Sequence, residues 1–236
     1  MMARWGIGTL DWSPDRVVAE TPWRHQKLLG GGGPSLDIGV HLLHEFRYLA
    51  GPIDTISGIT RTFEPTRRVP STGEQVTCDV DDAFFATAAF ASGAVGQITF
   101  TWAGHGSPTS LSDGLVIYGS RGNLKGDALT LDDGSTQSGA ELFEKEADTP
   151  TRQAFFAHGL TDSFALAFHD FLGAIARGRD PEMSGKEGLL DLAAAFAICE
   201  SATLGRAVRV SDVLDGSVAT YQADIDRHYG FASLAN

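Results

Sequence analysis

Asp37, His41, His44 and Tyr48 lie in a stretch, residues 36–50, whose apolar residues recur at helical spacing. Counting 100° per residue from Leu36, the four fall at about 100°, 140°, 80° and 120°, within an arc of about 60° on an α-helix. Val40, Leu42, Leu43, Phe46 and Leu49 spread over the remaining side, and Arg47 is the one misfit among them. A histidine changes charge near neutrality, and a carboxylate held against it fixes its tautomer and steadies its cation. Asp37 stands four residues before His41, the reach of an i, i+4 pair. The chemistry on offer is proton transfer, from a hydroxyl or from a carbon beside a carbonyl. The plainer reading is the wet face of an amphipathic helix that happens to carry two histidines.

The surrounding elements must position this helix. The run Gly30-Gly31-Gly32-Gly33-Pro34 precedes it, Ser35 is the expected N-cap, and Gly51-Pro52 ends it. Residues 5–12, 55–63, 83–90, 94–102, 114–118, 123–125 and 128–131 read as strands, with Ser92-Gly93 a hairpin turn. Tight turns between neighbouring strands predict a mainly antiparallel sheet. Residues 135–158 read as loop. Beyond them, Phe164, Phe168, Phe171 and Ile175 form a narrow helical stripe between Asp162 as cap and Gly178 as stop. That stripe is expected in the core. A second helix carries Leu189, Ala193, Phe196 and Leu204, and a last one, capped by Ser211-Asp212, carries Val218, Tyr221 and Ile225. The expectation is one α+β domain over residues 1–236: an open, mainly antiparallel sheet with helices packed on one face.

Composition narrows the function classes. The chain has 236 residues, 42% hydrophobic and 20% charged, and a net charge of −12. Its 18 Lys and Arg are scattered, so a polyanion such as nucleic acid would be repelled. Apolar runs are too short to span a bilayer, and the first residues do not resemble a secretory signal. Cys78 and Cys199 sit in unrelated contexts, as two reduced thiols of a cytoplasmic protein would.

Several segments together resemble the Gfo/Idh/MocA oxidoreductase family. Residues 30–41, GGGGPSLDIGVH, are similar to its motif GGG-x-L-x-D-x-G-x-H, and Trp23-Arg24 to the W-R pair upstream. Residues 82–102, DAFFATAAFASGAVGQITFTW, resemble its strand pair, and Tyr118-Gly119-Ser120-Arg121-Gly122 its following turn. Residues 163–178 and 185–206 resemble its two late helices. The resemblance runs in order through nearly the whole chain and implies the C-terminal, substrate-binding domain. It also implies subunit pairing through the free sheet face, hence a homo-oligomer. By resemblance, Asp37 and His41 map onto the polar pair at the substrate. His44 departs from the pattern, because many members carry an acidic residue there.

Typical members of the family begin with a Rossmann domain carrying G-x-G-x-x-G and a later E-K-P lysine motif, and neither occurs here. Gly6-Ile7-Gly8 continues into Thr9-Leu10-Asp11, and the glycine run is not followed by Gly-Lys-Ser/Thr. The chain alone is therefore expected to bind no nicotinamide, NAD(P) being implied only through a separate Rossmann-domain partner. Three functions compete. The first is the substrate module of an oxidoreductase acting on a sugar, polyol or related hydroxyl or keto compound. The second is a nucleotide-independent lyase, dehydratase or isomerase using Asp37, His41 and His44; a metal-assisted form would recruit His25 or His105. The third is a dimerising scaffold without catalysis. Catalytic candidates are Asp37, His41 and His44; substrate contacts are Trp23, Arg24, Tyr48 and His105. His158, His169 and His228 are expected to be structural, and Trp102 a packed core residue.

Overall fold

The structure is a computed structural model that describes residues 4–8, 21–104 and 114–231. Its strands are β1 (Arg4–Gly8), β2 (Ile53–Arg61), β3 (Thr66–Arg68), β4 (Gln75–Thr77), β5 (Ala83–Phe90), β6 (Val95–Thr101), β7 (Gly114–Gly119), β8 (Gly122–Lys125), β9 (Ala128–Leu131), β10 (Thr136–Ser138) and β11 (Val208–Arg209). The helices are α1 (Lys27–Gly30), α2 (Pro34–Asp37), α3 (Gly39–Ala50), α4 (Gly139–Glu146), α5 (Thr149–Phe155), α6 (Ser163–Arg177), α7 (Gly185–Leu204), α8 (Val210–Leu214) and α9 (Ala223–Tyr229). Nine strands form one open sheet in the order β10-β9-β8-β7-β1-β6-β5-β2-β11, and β3 and β4 pair separately. Adjacent strands are antiparallel throughout except β1 with β6, which run parallel. The expected α+β architecture, a mainly antiparallel sheet with helices, is the one observed.

Alternation along the central strands explains why one face is covered. On β5, Phe84, Ala86, Ala88 and Phe90 are buried, while Phe85 and Thr87 point to the other side and are exposed. β6 repeats the pattern, with Gly96, Ile98 and Phe100 inward and Val95 and Gln97 outward. The inward set packs with α3, α7 and α8 into one core built on Leu43, Phe46, Ile56, Phe84, Ile98 and Ile198. α3 seats closely because β6 carries Gly96: a Cβ there would lie 2.6 Å from the Phe46 ring.

Five expectations are corrected. The helix over residues 36–50 is divided, α2 ending at Asp37 and α3 starting at Gly39; His41 N donates to Ile38 O at 3.0 Å, a tightened turn at the break. Ser35 is not its cap, because Ser35 lies inside α2 and Gly33 holds the cap position. Residues 135–158 are not loop: Ser138 and Asp148 accept from Glu141 N and Thr151 N and so start α4 and α5. The last helix is two: α8 starts at Val210 with Arg209 in the cap position, so Ser211-Asp212 lies inside it, and Gly216 at φ 78° follows it before α9, with Val218 and Tyr221 in neither helix. Finally, the Phe164–Phe171 stripe is exposed rather than core, since Ala174 is the one buried residue of α6.

The turn before α2 is the tightest point in the fold. A Cβ on Gly33 would stand 1.7 Å from the carbonyl oxygen of Asp81, a backbone atom that cannot swing away. Gly33→Ala is therefore expected to destabilise the chain by about 3 kcal/mol or more in urea unfolding, above the usual overpacking range. Gly185→Ala, at a helix start with nothing within 4 Å, is expected to be neutral or slightly stabilising in the same measurement.

Candidate functional site

A carboxylate 46 residues away takes over the start of the site helix. Asp81 Oδ1 accepts from Gly33 N at 3.0 Å and from Ser35 Oγ at 2.8 Å, and its Oδ2 accepts from Ser35 N at 3.0 Å. These are amides that a helix N-terminus leaves without intrahelical partners. Burial pushes the Asp81 carboxyl up to about 6 from its ordinary 3.8, against the Ser35 and Gly33 bonds that pull it down. Ser35 Oγ also lies 3.2 Å from Cys199 Sγ, and burial drives that thiol far up, so it is no nucleophile.

This arrangement answers whether the glycine run fits a dinucleotide. Gly33 N and Ser35 N, the amides that could face a pyrophosphate, are already bound to Asp81. Gly6-Ile7-Gly8 lies within strand β1 rather than in a strand-to-helix loop. Neither glycine segment fits a phosphate-binding role.

Further along, α3 is tied to α7 by charge. Arg47, the misfit of the helical arc, donates through Nη1 to Asp191 Oδ1 and through Nη2 to Glu187 Oε2 at 2.6 Å. The other oxygen of Asp191 meets His44 Nδ1 at 2.8 Å. Asp191 is fully buried; a buried carboxylate is tolerated when paired and hydrogen-bonded, as it is here. A carboxylate oxygen only accepts, so His44 Nδ1 donates to it, and in the neutral ring Nε2 is then the acceptor. The His44 side chain is 42% exposed.

His44 opens onto a cavity of about 900 Å³ shared with Tyr48, His169, Asp170, Arg177 and Arg179. Asp170 accepts from Arg179 and from Glu182 N, which closes one wall. A second cavity of about 740 Å³ adjoins it, and His169 lines both. There the rings of His158 and His169 meet edge to face at 5.1 Å, and His158 adopts a left-handed φ of 56°.

The candidates from the sequence are thus separated along the helix. His44 and Tyr48 reach the cavity. His41 is exposed one turn earlier, with no hydrogen bond to a side chain among the described residues. Asp37 does not orient His41; beyond the break at Ile38 it pairs instead with Arg24 Nε at 3.5 Å. Arg24 also lies over the exposed Trp23 ring, 5.0 Å from its centroid. Tyr48 is exposed, Trp102 is buried, and His25 is buried with its ring 5.5 Å from Trp102. His105 lies outside the described residues. Among the described residues, no three His, Cys, Asp or Glu side chains gather as a metal site. Sequence reasoning missed Asp191 and His169. Asp191 had a signal: a lone carboxylate inside the run Leu189-Leu190-Asp191-Leu192-Ala193 must find a partner if that helix is buried. For His169 no spacing pointed to the cavity.

Comparison with known proteins agrees with the fold. The chain matches the family described as GFO/IDH/MocA C-terminal domain over residues 7–125. It belongs to the GFO/IDH/MocA family. The GFO/IDH/MocA chain is 28% identical over 219 residues to the levoglucosan dehydrogenase of Pseudarthrobacter phenanthrenivorans, covering 81% of this chain and 55% of the relative. It therefore spans about half the length of that relative. A solved levoglucosan dehydrogenase in complex with NADH and levoglucosan superposes with a TM-score of 0.64 at 25% identity, over 89% of this chain and 58% of the other. An oxidoreductase domain protein from Kribbella flavida shares the fold, with a TM-score of 0.65 at 24% identity over 89% of this chain and 59% of its own. No described helix is long and apolar enough to cross a membrane.

Because the folded Asp81 binds its proton up to about pH 6 and the unfolded one releases it near 3.8, its contribution to stability is full below the lower value. That contribution is lost as pH rises through the upper one. The stability advantage of the native chain over Asp81→Asn is expected to shrink by up to about 3 kcal/mol between pH 4 and pH 6.5. Urea melts of both proteins across that range check it, and an advantage that grows with pH would contradict it.

Proposed function

We propose that this GFO/IDH/MocA chain is the substrate-binding and proton-handling module of an oxidoreductase acting on a sugar, polyol or related hydroxyl or keto compound. The nicotinamide is held by a half supplied from elsewhere. The observation that carries the reading is the His44–Asp191 pair at 2.8 Å on the wall of the 900 Å³ cavity. His44 Nε2 takes the proton of a substrate hydroxyl while Nδ1–H stays on Asp191, which Arg47 holds in place. Asp37, His41, Trp23 and Arg24 stand on the same polar side toward the helix start, where they offer contacts to further hydroxyls; Tyr48 does so inside the cavity. Similarity to a levoglucosan dehydrogenase supports a carbohydrate-like substrate.

The test joins the full chain to the part of the Pseudarthrobacter enzyme that it does not match, and assays NAD(P)H formation on a panel of sugars and polyols including levoglucosan. In parallel, the same compounds are titrated into the unfused chain while its histidine ring signals are followed by NMR. Saturable shifts at His44 are expected. In the fusion, His44→Gln is expected to lower kcat about 10²–10⁴-fold. His41→Gln should lower it less, and Asp191→Asn should displace the pH profile without removing the His44 ring. A panel that moves no histidine and yields no turnover would refute the reading.

One observation favours a second reading. The acid–base pair is complete within this chain, so an isomerase or lyase that only moves protons needs nothing else. Deuterium entry from D₂O into a keto sugar, catalysed by the unfused chain and abolished by His44→Gln, would select it.

The outer sheet face supports a homo-oligomer. Ile59 and Phe85 are paired across β2 and β5 and are both exposed, as is Val95 on β6. Large apolar side chains in the middle of a sheet call for cover. Ile59→Lys with Phe85→Lys is expected to convert the native assembly to monomer in sedimentation velocity; a native chain that is already monomeric at high concentration would exclude this interface.

A further inference from the structure

The cavity of about 740 Å³ beside the His44 cavity has no part in the function proposed above. Gln153, Ala157 and His169 line both, so the two spaces share a wall. Each is on the scale that holds a drug-sized ligand, roughly 300–1,000 Å³, and a monosaccharide at His44 would leave the second one empty. The wall of this second cavity is built from rings. Phe143 and Phe156 meet at 5.5 Å with their planes 75° apart, and His158 and His169 meet at 5.1 Å with theirs 80° apart. Rings set nearly at right angles present both faces and edges, the two surfaces against which a further aromatic ring packs. His158 stands at a left-handed φ of 56°. That conformation is costly for a residue with a Cβ and collects at ligand clamps; here it belongs to a residue whose ring lines the cavity.

Charge argues against an anionic occupant. Arg152 is the permanent cation of the described lining, and all three of its guanidinium nitrogens are engaged. Nη1 donates to Glu144 Oε2 at 2.7 Å, Nη2 to the carbonyls of Phe143 and Glu144, and Nε to Ala147 O at 3.1 Å. Glu144 is the carboxylate of the same lining, so the pair cancels within the wall. What remains for a ligand is rings and neutral polar groups, Gln153 at the shared wall among them. We propose that this cavity is a subsite for an uncharged aromatic ring, carried by a compound whose sugar part lies at His44. The substrate class is then an aryl glycoside; the proposal rests on the function stated above for the His44 cavity. His169, lining both spaces, stands where the sugar and the ring are joined.

Calorimetric titration of the full chain with phenol, methyl β-D-glucopyranoside and phenyl β-D-glucopyranoside tests it, with histidine ring signals followed by NMR in parallel. Phenol is expected to shift His158 and His169 saturably, and the methyl glucoside to shift His44. The phenyl glucoside should shift all three and bind about tenfold or more tightly than the methyl one. Phe156→Ala, outside the His44 cavity, should abolish that preference and leave binding of the methyl glucoside unchanged. His158→Gly should do the same without lowering the midpoint of urea unfolding, because glycine adopts the left-handed backbone freely. Absence of a saturable phenol shift at His158 and His169 overturns the subsite. Equal affinity for the two glucosides, with phenol bound, overturns the join between the cavities and with it the aryl glycoside. Phenol binding in a chain that responds to no compound of the sugar panel would instead refute the function reading and leave the aromatic subsite standing.

Discussion

A single buried carboxylate holds the site helix to the sheet. Asp81, just before β5, binds the two amides and the hydroxyl that open α2, and its own carbonyl occupies the space where a side chain on Gly33 would be. The glycine run is thus a consequence of close approach. It lets the chain come down onto the turn before β5, after which α2 and α3 have little choice of direction. Phe46 over Gly96 then fixes α3 across β6. Every candidate on the polar arc inherits its position from these two contacts.

A second buried carboxylate settles which histidine is oriented. Asp191 is fully buried on α7 and divides its oxygens between Arg47 and His44. Taken from water without partners, it would be among the costliest groups in the core. Paired on both sides, it locks α3 against α7 and sets a histidine tautomer at the cavity wall. The residue that looked like a misfit on the helix, Arg47, is what makes that carboxylate tolerable.

The outer surfaces are as informative as the core. An α+β domain of this size usually covers its large apolar side chains, yet the sheet face and α6 both leave aromatic residues exposed. The chain spans about half of the levoglucosan dehydrogenase that it matches. The proposed chemistry needs a proton acceptor, and His44 beside Asp191 offers one within the chain.

Much of this protein was legible in its residues because the signals were local. Period-two alternation on β5 and β6, the Ser92-Gly93 turn, Asp162 and Gly178 around α6, and the polar arc of α3 each depend on neighbours a few positions apart. Ser138 and Asp148 were equally local caps, and only the lack of an apolar stripe hid the helices they start. What tertiary structure decided depends on contacts across 13 to 147 residues. The Ser35 hydroxyl serves Asp81 rather than a cap, His44 rather than His41 receives a carboxylate, and the helix breaks at Ile38 so that Asp37 turns to Arg24. The same limit explains α6. Its stripe announces an apolar face, but periodicity cannot say whether that face is covered, and in the described structure Phe164, Phe168, Phe171 and Ile175 are exposed. Spacing identifies a face; only the fold shows what that face meets.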